Sequence, residues 1–307
     1  MPAASTASSA TAPITVVDLE IHAATFDADR AAAIYREHGC LVVRGLASAQ
    51  VDALNRDIAT AAQQAIALLP RATKIVEGWA TPDGSLFLPA PAGFARDQQI
   101  MLLPINYRNS AAFLQTALVP EALDLAERVV GPDVELFMEG QVVYKEPVGG
   151  HPKHLHQDAA YFEHRLDGPM ATLIYCVDTD LVNGALHVVP GSHRQGLLAH
   201  VTTFSHLGLD EQAWPWECAL PIVGKAGDAI FFHVQTIHGS KENHGAAPRP
   251  VVINRYRNAN DYVVVSATTA ENRSQAESDA ARKAMAQRRV QQRGLLVRGS
   301  RRWSDDG

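Results

Sequence analysis

Between residues 134 and 265 the chain is written as short β-rich runs cut by turn residues, and nothing else in its 307 residues constrains the fold as tightly. The clearest runs are 141–144, 171–177, 185–189, 229–233 and 251–256. Asn183-Gly184, Pro190-Gly191 and Gly227-Asp228 separate them with dipeptides whose backbone preferences favour reversal. Many short strands at this spacing mean a sandwich, a barrel or a jelly roll. The expected class is therefore mainly β, with helices flanking the sheets.

Those helices belong to the N-terminal part, residues 26–131. One should start at Asp27 as N-cap, carry Ala31, Ile34 and Tyr35 inward, and end at Gly39. The strand 40–45 follows. Ser48 is the expected cap of a second helix, whose buried face carries Val51, Leu54, Ile58 and Ala62 at helical spacing. A further helix is expected over 122–130. Between 71 and 109, Pro82-Asp83-Gly84, Pro89, Pro91 and Gly93 break every period, while Trp79, Phe87, Phe94 and Tyr107 recur among them. This stretch reads as a long loop, either a lid over a site or a wrap around the core. Residues 1–13 read as a disordered tail, residues 14–270 as one domain with its β core at 134–265, and residues 271–307 as a basic C-terminal helix or tail.

Composition narrows the function classes. Hydrophobic residues make up 47% and charged residues 20%, enough apolar material for a core. Net charge is −6, which gives no support to a nucleic-acid partner. No apolar stretch is long enough for a membrane span, and residues 1–13 lack the basic and apolar regions of a signal peptide. The three cysteines, Cys40, Cys176 and Cys218, are far apart with no CxxC, which fits a reducing cytoplasm better than a disulfide framework.

The chemistry-bearing segment is His154-Leu155-His156-Gln157-Asp158. On a strand, residues i and i+2 share a face, so His156 and Asp158 can present an imidazole and a carboxylate to one point. Alone, such a pair is a weak signal. His238, on a distant run, would complete a His-Asp-His set of the kind that holds one side of an octahedral Fe(II). Further on, Arg249 offers the fixed, permanently charged fork that a carboxylate clamp requires. Other histidines (His151, His154, His164, His187, His193, His233) read as loop or packing residues, and Arg255 and Arg257 as surface or structural partners.

Taken in order, "HQDAAYF", "NGALHVVPGSHR", "GDAIFFHVQTIHGS" and "RPVVINRYR" resemble the phytanoyl-CoA dioxygenase family of Fe(II)/2-oxoglutarate oxygenases. The upstream "YREHGCLVVRGLAS" is similar to that family's opening helix and strand, and the likeness spans roughly residues 26–257 with gaps through 71–135. It implies a double-stranded β-helix, the cupin-like jelly roll. It implies His156, Asp158 and His238 as iron ligands and Arg249 as the clamp on 2-oxoglutarate. Ser240, Gln141 and Lys145 fall where the family contacts the cosubstrate, and Tyr161, Phe162 and Phe231 are candidates for the substrate pocket. The family often places a Trp on the strand before "NGAL"; here the stretch reads Leu173-Ile174-Tyr175-Cys176-Val177.

The implied reaction consumes O2 and 2-oxoglutarate, releases succinate and CO2, and oxidises a C–H bond of a small molecule, an intermediate of metabolism or of natural-product synthesis. Asp158 stands where halogenating relatives have a small residue, which favours hydroxylation. Two alternatives share the fold: a non-catalytic protein that binds metal and 2-oxoglutarate, and a hydroxylase of proteins or peptides.

Overall fold

The computed structural model describes residues 13–76, 78–203, 206–266 and 291–302. Helix α1 spans Ala28–His38 and is closed at both ends as its sequence requires. The Asp27 carboxylate accepts from the Arg30 amide at 2.9 Å, satisfying one orphan donor of the first turn. Gly39 ends the helix at φ 69°, a left-handed conformation that costs a residue without Cβ nothing. Helix α2 spans Val51–Leu68, α3 Ala111–Ala117 and α4 Pro120–Val130. Ser48 does not cap α2: the chain turns through 45–50, Gln50 takes the cap position, and no side chain bonds there. Helix α3 has no counterpart in the expectations, being too short to show a period.

Twelve strands form one large sheet. Its path runs through Glu20–His22, Cys40–Arg44, Ala229–His233, Met170–Tyr175, Arg249–Asn258, Gln141–Lys145, Gln98–Leu103, Leu86–Pro89, Gly78–Ala80 and Thr73–Ile75. Val134–Leu136 joins the far end of Arg249–Asn258, and Leu295–Arg298 joins Val134–Leu136 in turn. A second sheet of four strands runs Leu220–Ile222, Leu186–Val188, His238–Ser240, Lys153–His156. The two sheets enclose one apolar core, in which Val143, Leu173, Phe232, Val251 and Ile253 from the large sheet meet Leu186, Val188 and Ile222 from the small one. The opposite face of the large sheet carries a second core, where Leu41, Val43, Ile174, Phe231 and Val252 pack with residues of all four helices. The central strands of the large sheet are therefore apolar on both faces and show no polar alternation, as expected of strands covered on both sides. The architecture is the expected mainly-β jelly roll with helices on one side.

The stretch 71–109 is not an irregular loop. It supplies four of the sheet's strands, and Pro82 and Gly84 lie in a hairpin turn: Gly84, at φ 91°, falls within Thr81–Ser85, where the Thr81 amide donates to the Ser85 carbonyl at 3.0 Å, whereas Pro89 ends the strand Leu86–Pro89. Phe87 and Ile100 are fully buried in the helix-side core, with Trp79 packed on it, so these aromatics wrap the core. The basic run begins outside the described residues. Within them, Arg298 pairs with Asp124 and Glu127, and Arg301 with Glu135, so these two arginines bind the chain's own carboxylates. Among the described residues no helix is long and apolar enough to cross a membrane.

Beneath that C-terminal strand lies a buried polar network. Arg257 donates to Glu135 at 2.8 Å and to the ring Nε2 of His164 at 3.1 Å, and His164 Nδ1 donates to the Phe162 carbonyl at 2.8 Å. Because breaking one side of a buried pair strands the other charge, Glu135→Ala should lower unfolding stability by about 3–5 kcal/mol, measured by urea denaturation. Burial, reinforced by the Arg257 charge, pushes His164 down from 6.5 to about 3. Between these values the unfolded chain binds the extra proton, so stability should fall as pH drops below 6.5. The urea midpoint should fall on that side of neutrality, and less steeply in His164→Gln.

Candidate metal centre

The two histidines of the candidate triad are brought opposite each other by strand register. His238 pairs with His156 across the antiparallel ladder of the small sheet, and their ring centroids are 4.3 Å apart. Each ring is oriented by its own backbone: His156 Nδ1 lies 2.8 Å from the His154 carbonyl and His238 Nδ1 2.9 Å from the Thr236 carbonyl. A carbonyl only accepts, so Nδ1 carries the proton in both rings and the Nε2 lone pair is left for another partner. Burial, reinforced by the facing imidazole and by His206, holds His156 well below 6.5, and burial lowers His238 too. Both rings are thereby kept in the neutral form that ligates.

Asp158 reaches the same point from just beyond the strand. Lys153–His156 ends before it, and Asp158 opens a one-turn 3-10 helix at Asp158–Ala160. Gln157 between them is still extended (φ −116°, ψ 132°), so the two-residue parity of the HxD motif survives the end of pairing. Gln157 itself points the other way, is fully buried, and ties down two loops: its amide donates to Gly196 O at 2.8 Å and Gln235 O at 2.7 Å and accepts from Leu198 N at 2.8 Å. Asp158 Oδ1 lies 3.8 Å from His156 Nε2 and 3.9 Å from His238 Nε2. One ligand atom from each of the three residues falls within 4.8 Å of the others, and all three residues are buried. Two neutral imidazoles and one carboxylate oxygen on one side of a point are a donor set for a first-row divalent metal, with the other side open.

The second carboxylate oxygen is held by a residue whose sequence reading was surface or structural pairing. Arg255 Nε and Nη2 donate to Asp158 Oδ2 at 3.3 and 3.2 Å. Arg255 is 6% exposed, its guanidinium lies 5.1 Å from the Phe162 ring centre, and it lines the cavity beside the triad. The sequence did hold a sign of this. Arg249, Val251, Ile253 and Arg255 have the same parity on one strand, and all four face the cavity.

That cavity measures about 510 Å³ and lies between the two sheets. Arg249 enters it 1% exposed, above the Tyr175 ring at 5.8 Å, with Nη2 donating to the Gly184 carbonyl and Nε without a partner. Among the described residues no carboxylate pairs with it, and burial pulls it below the usual arginine range. Tyr175 occupies the stretch where the family often has Trp; its hydroxyl donates to Ile222 O at 2.7 Å and accepts from Leu186 N at 3.0 Å, so it joins the sheets rather than facing a ligand.

Gln141, Ser240, Tyr161 and Phe162 all line the cavity, as does Lys153. Two expected residues do not. Lys145 shares the parity of Gln141 but lies beyond the cavity's end, fully buried, its ammonium donating to the carbonyls of His151 (2.7 Å), Ser240 (3.1 Å) and Lys241. Phe231 points into the helix-side core, and its neighbour Phe232 faces the cavity instead; one step along a strand changes the side. His206 also lines the cavity, with its ring centre 5.2 Å from that of His156, and burial pushes it down to about 3. It comes from a stretch with no motif and nothing in the sequence marks it. His151, His154 and His164 do not line the cavity.

The match to the family Phytanoyl-CoA dioxygenase (PhyH) runs over residues 35–251. The chain belongs to this family. Among curated PhyH-like relatives, a protein named probable alpha-ketoglutarate-dependent hypophosphite dioxygenase from Stutzerimonas stutzeri is 31% identical over 142 residues, covering 44% of this chain and 49% of that one. The peroxisomal phytanoyl-CoA dioxygenase of Mus musculus is 30% identical over 186 residues, covering 54% and 52%. The chain thus spans about half the length of these PhyH relatives. Among solved structures, the non-heme alpha ketoglutarate dependent epimerase SnoN from nogalamycin biosynthesis superposes with a TM-score of 0.56 at 22% identity, covering 79% of this chain and 87% of that one. EctD from S. alaskensis, in its apoform, gives 0.54 at 19%, covering 75% and 76%. At such identities these structures establish the shared fold.

Removing any donor should open the site. His156→Ala and Asp158→Ala are expected to retain less than about a tenth of the wild-type Fe(II) after anaerobic loading and desalting, with folding verified by circular dichroism.

Proposed function

We propose that the chain is a non-haem Fe(II)- and 2-oxoglutarate-dependent oxygenase that oxidises an unactivated C–H bond of a small molecule, with release of succinate and CO2. The observation that carries the reading is Arg249: a buried guanidinium without a carboxylate partner, facing the same cavity as three buried metal donors. Burying an unpaired cation is costly, and a dicarboxylate reaching from the metal toward Arg249 offsets that cost. A protein that only bound metal would have no use for it.

In this reading His156 Nε2, Asp158 Oδ1 and His238 Nε2 hold Fe(II), and Arg249 receives the distal carboxylate of 2-oxoglutarate, with the Ser240 hydroxyl beside it. When bound, the iron with O2 and 2-oxoglutarate supplies the oxidising power for C–H cleavage. The protein's part is orientation and exclusion. The paired Nδ1 atoms keep both imidazoles in one tautomer, and Arg255 keeps Oδ2 of Asp158 away from the metal. Leu173, Leu186, Phe232, Val251 and Ile253 give the cavity apolar walls that keep bulk water out. Tyr161 and Phe162 flank the place left for substrate. The cavity's volume is in the range of small-molecule sites, which supports a metabolite or natural-product intermediate over a protein chain. Three free cysteines, two of them buried, fit the reducing cytoplasm.

Anaerobic addition of 2-oxoglutarate to Fe(II)-loaded protein should produce the metal-to-ligand charge-transfer band of a chelated keto acid, and admission of O2 should yield at least slow, uncoupled succinate. Absence of both from folded, iron-loaded protein sinks the proposal; the band without succinate would point to a binding protein. Arg249→Ala should raise the KM for 2-oxoglutarate about ten- to hundredfold, the worth of one charged hydrogen-bonded contact, while iron content stays at the wild-type level.

A further inference from the structure

We infer that the substrate carries an anionic group, received by Arg255 at the opposite end of the cavity from Arg249. The inference rests on the oxygenase reading above and deepens it. Arg249 and Arg255 stand on one face of one strand, six residues and therefore roughly 20 Å of backbone apart, and both line the cavity. Arg249 is assigned to 2-oxoglutarate. Arg255 touches the donor Asp158 and lies beside Phe162, in the cavity that Tyr161 and Gln141 also line, where a substrate must lie to be oxidised.

Two features make Arg255 more than a buttress for Asp158. Its Nε and Nη2 both converge on the single oxygen Oδ2, so Nη1 has no hydrogen-bond partner among the described residues. Its guanidinium is also held by two neighbours, the Asp158 carboxylate at 3.2 Å and the Phe162 ring, whose centre is 5.1 Å from it. A pre-oriented donor with one unused edge is built for a ligand rather than for packing.

Charge balance points the same way. Among the described residues lining the cavity, the two guanidiniums of Arg249 and Arg255 face the single carboxylate of Asp158. A ferrous dication and a 2-oxoglutarate dianion cancel each other, so loading the site leaves this positive surplus in place. Once Asp158 Oδ1 faces a metal, its charge is shared, and it neutralises Arg255 less. A neutral substrate covering the cavity would strand Arg255 Nη1 away from water without a partner, whereas a carboxylate or phosphonate would satisfy it. A cationic substrate would be repelled.

The test uses the full chain loaded with Zn(II) and saturating 2-oxoglutarate, a redox-inert form in which binding is separated from turnover. Octanoate, octylphosphonate, octanamide and octylamine, which share a tail and differ in head group, are titrated calorimetrically. The two anions should bind at least about tenfold more tightly than the amide, with the amine weakest. Arg255→Gln should erase that preference and Arg255→Lys should retain part of it, with zinc and bound 2-oxoglutarate quantified in each variant. Equal affinity for octanoate and octanamide, no binding by either anion, or a preference that persists in Arg255→Gln overturns the inference. So does an anion that displaces 2-oxoglutarate instead of binding alongside it, because it has then gone to Arg249. If the wild-type protein takes up neither zinc nor 2-oxoglutarate, the oxygenase reading fails before this one is reached.

Discussion

The register of the strand Arg249–Asn258 is the constraint on which the rest depends. It is hydrogen-bonded on both sides, to Met170–Tyr175 and to Gln141–Lys145, and is buried on both faces. Odd-numbered positions from 249 to 255 enter the cavity, while Val252 and Tyr256 enter the helix-side core, the Tyr256 hydroxyl donating to Ala117 O at 3.0 Å. A slip of one residue would exchange the two sets, sending two guanidiniums into an apolar core and a tyrosine into the cavity. Both ladders and both cores oppose that slip. The spacing between the two cavity arginines is thus a property of the backbone.

Within that frame the site is an arrangement of desolvated charge. The imidazoles are kept neutral by burial, with the facing His238 adding to the effect on His156, and their tautomers are set by carbonyls two residues upstream on their own chain. Asp158 is the one acidic group among the described residues that line the cavity, and each of its oxygens has a different neighbour, Oδ1 the histidines and Oδ2 Arg255. Such a site needs little rearrangement to receive a cation and a dianion, which is the sense in which electrostatic preorganisation lowers the cost of later chemistry. Gln157 contributes from behind by joining two loops to the segment that carries His156 and Asp158.

Local chemistry made much of this legible. The HxD spacing, the late histidine and the arginine after it mark three grouped donors and a buried cation in the same cavity because each needs a particular side chain at a particular parity, and parity along a strand is read directly from numbering. The same arithmetic, carried from Arg249 through Val251 and Ile253, reaches Arg255, whose sequence reading is nonetheless surface or structural pairing. Other features were beyond it. Phe231 and Phe232 are alike in sequence, and only the order of layers tells which one faces the cavity. Lys145 has the right parity, but the strand runs past the end of the cavity before reaching it.

The length and spacing of the β-rich runs determined a mainly-β fold, a sandwich, barrel or jelly roll, and the caps Asp27 and Gly39 determined α1, because turn chemistry and helix ends act over a few residues. Tertiary structure alone decided that 71–109 extends a sheet, that His206 joins the site, and that Arg255 meets Asp158. These depend on pairings between segments far apart in the chain, whose strength comes from burial and backbone hydrogen bonding common to many alternative partners, and which no single segment encodes.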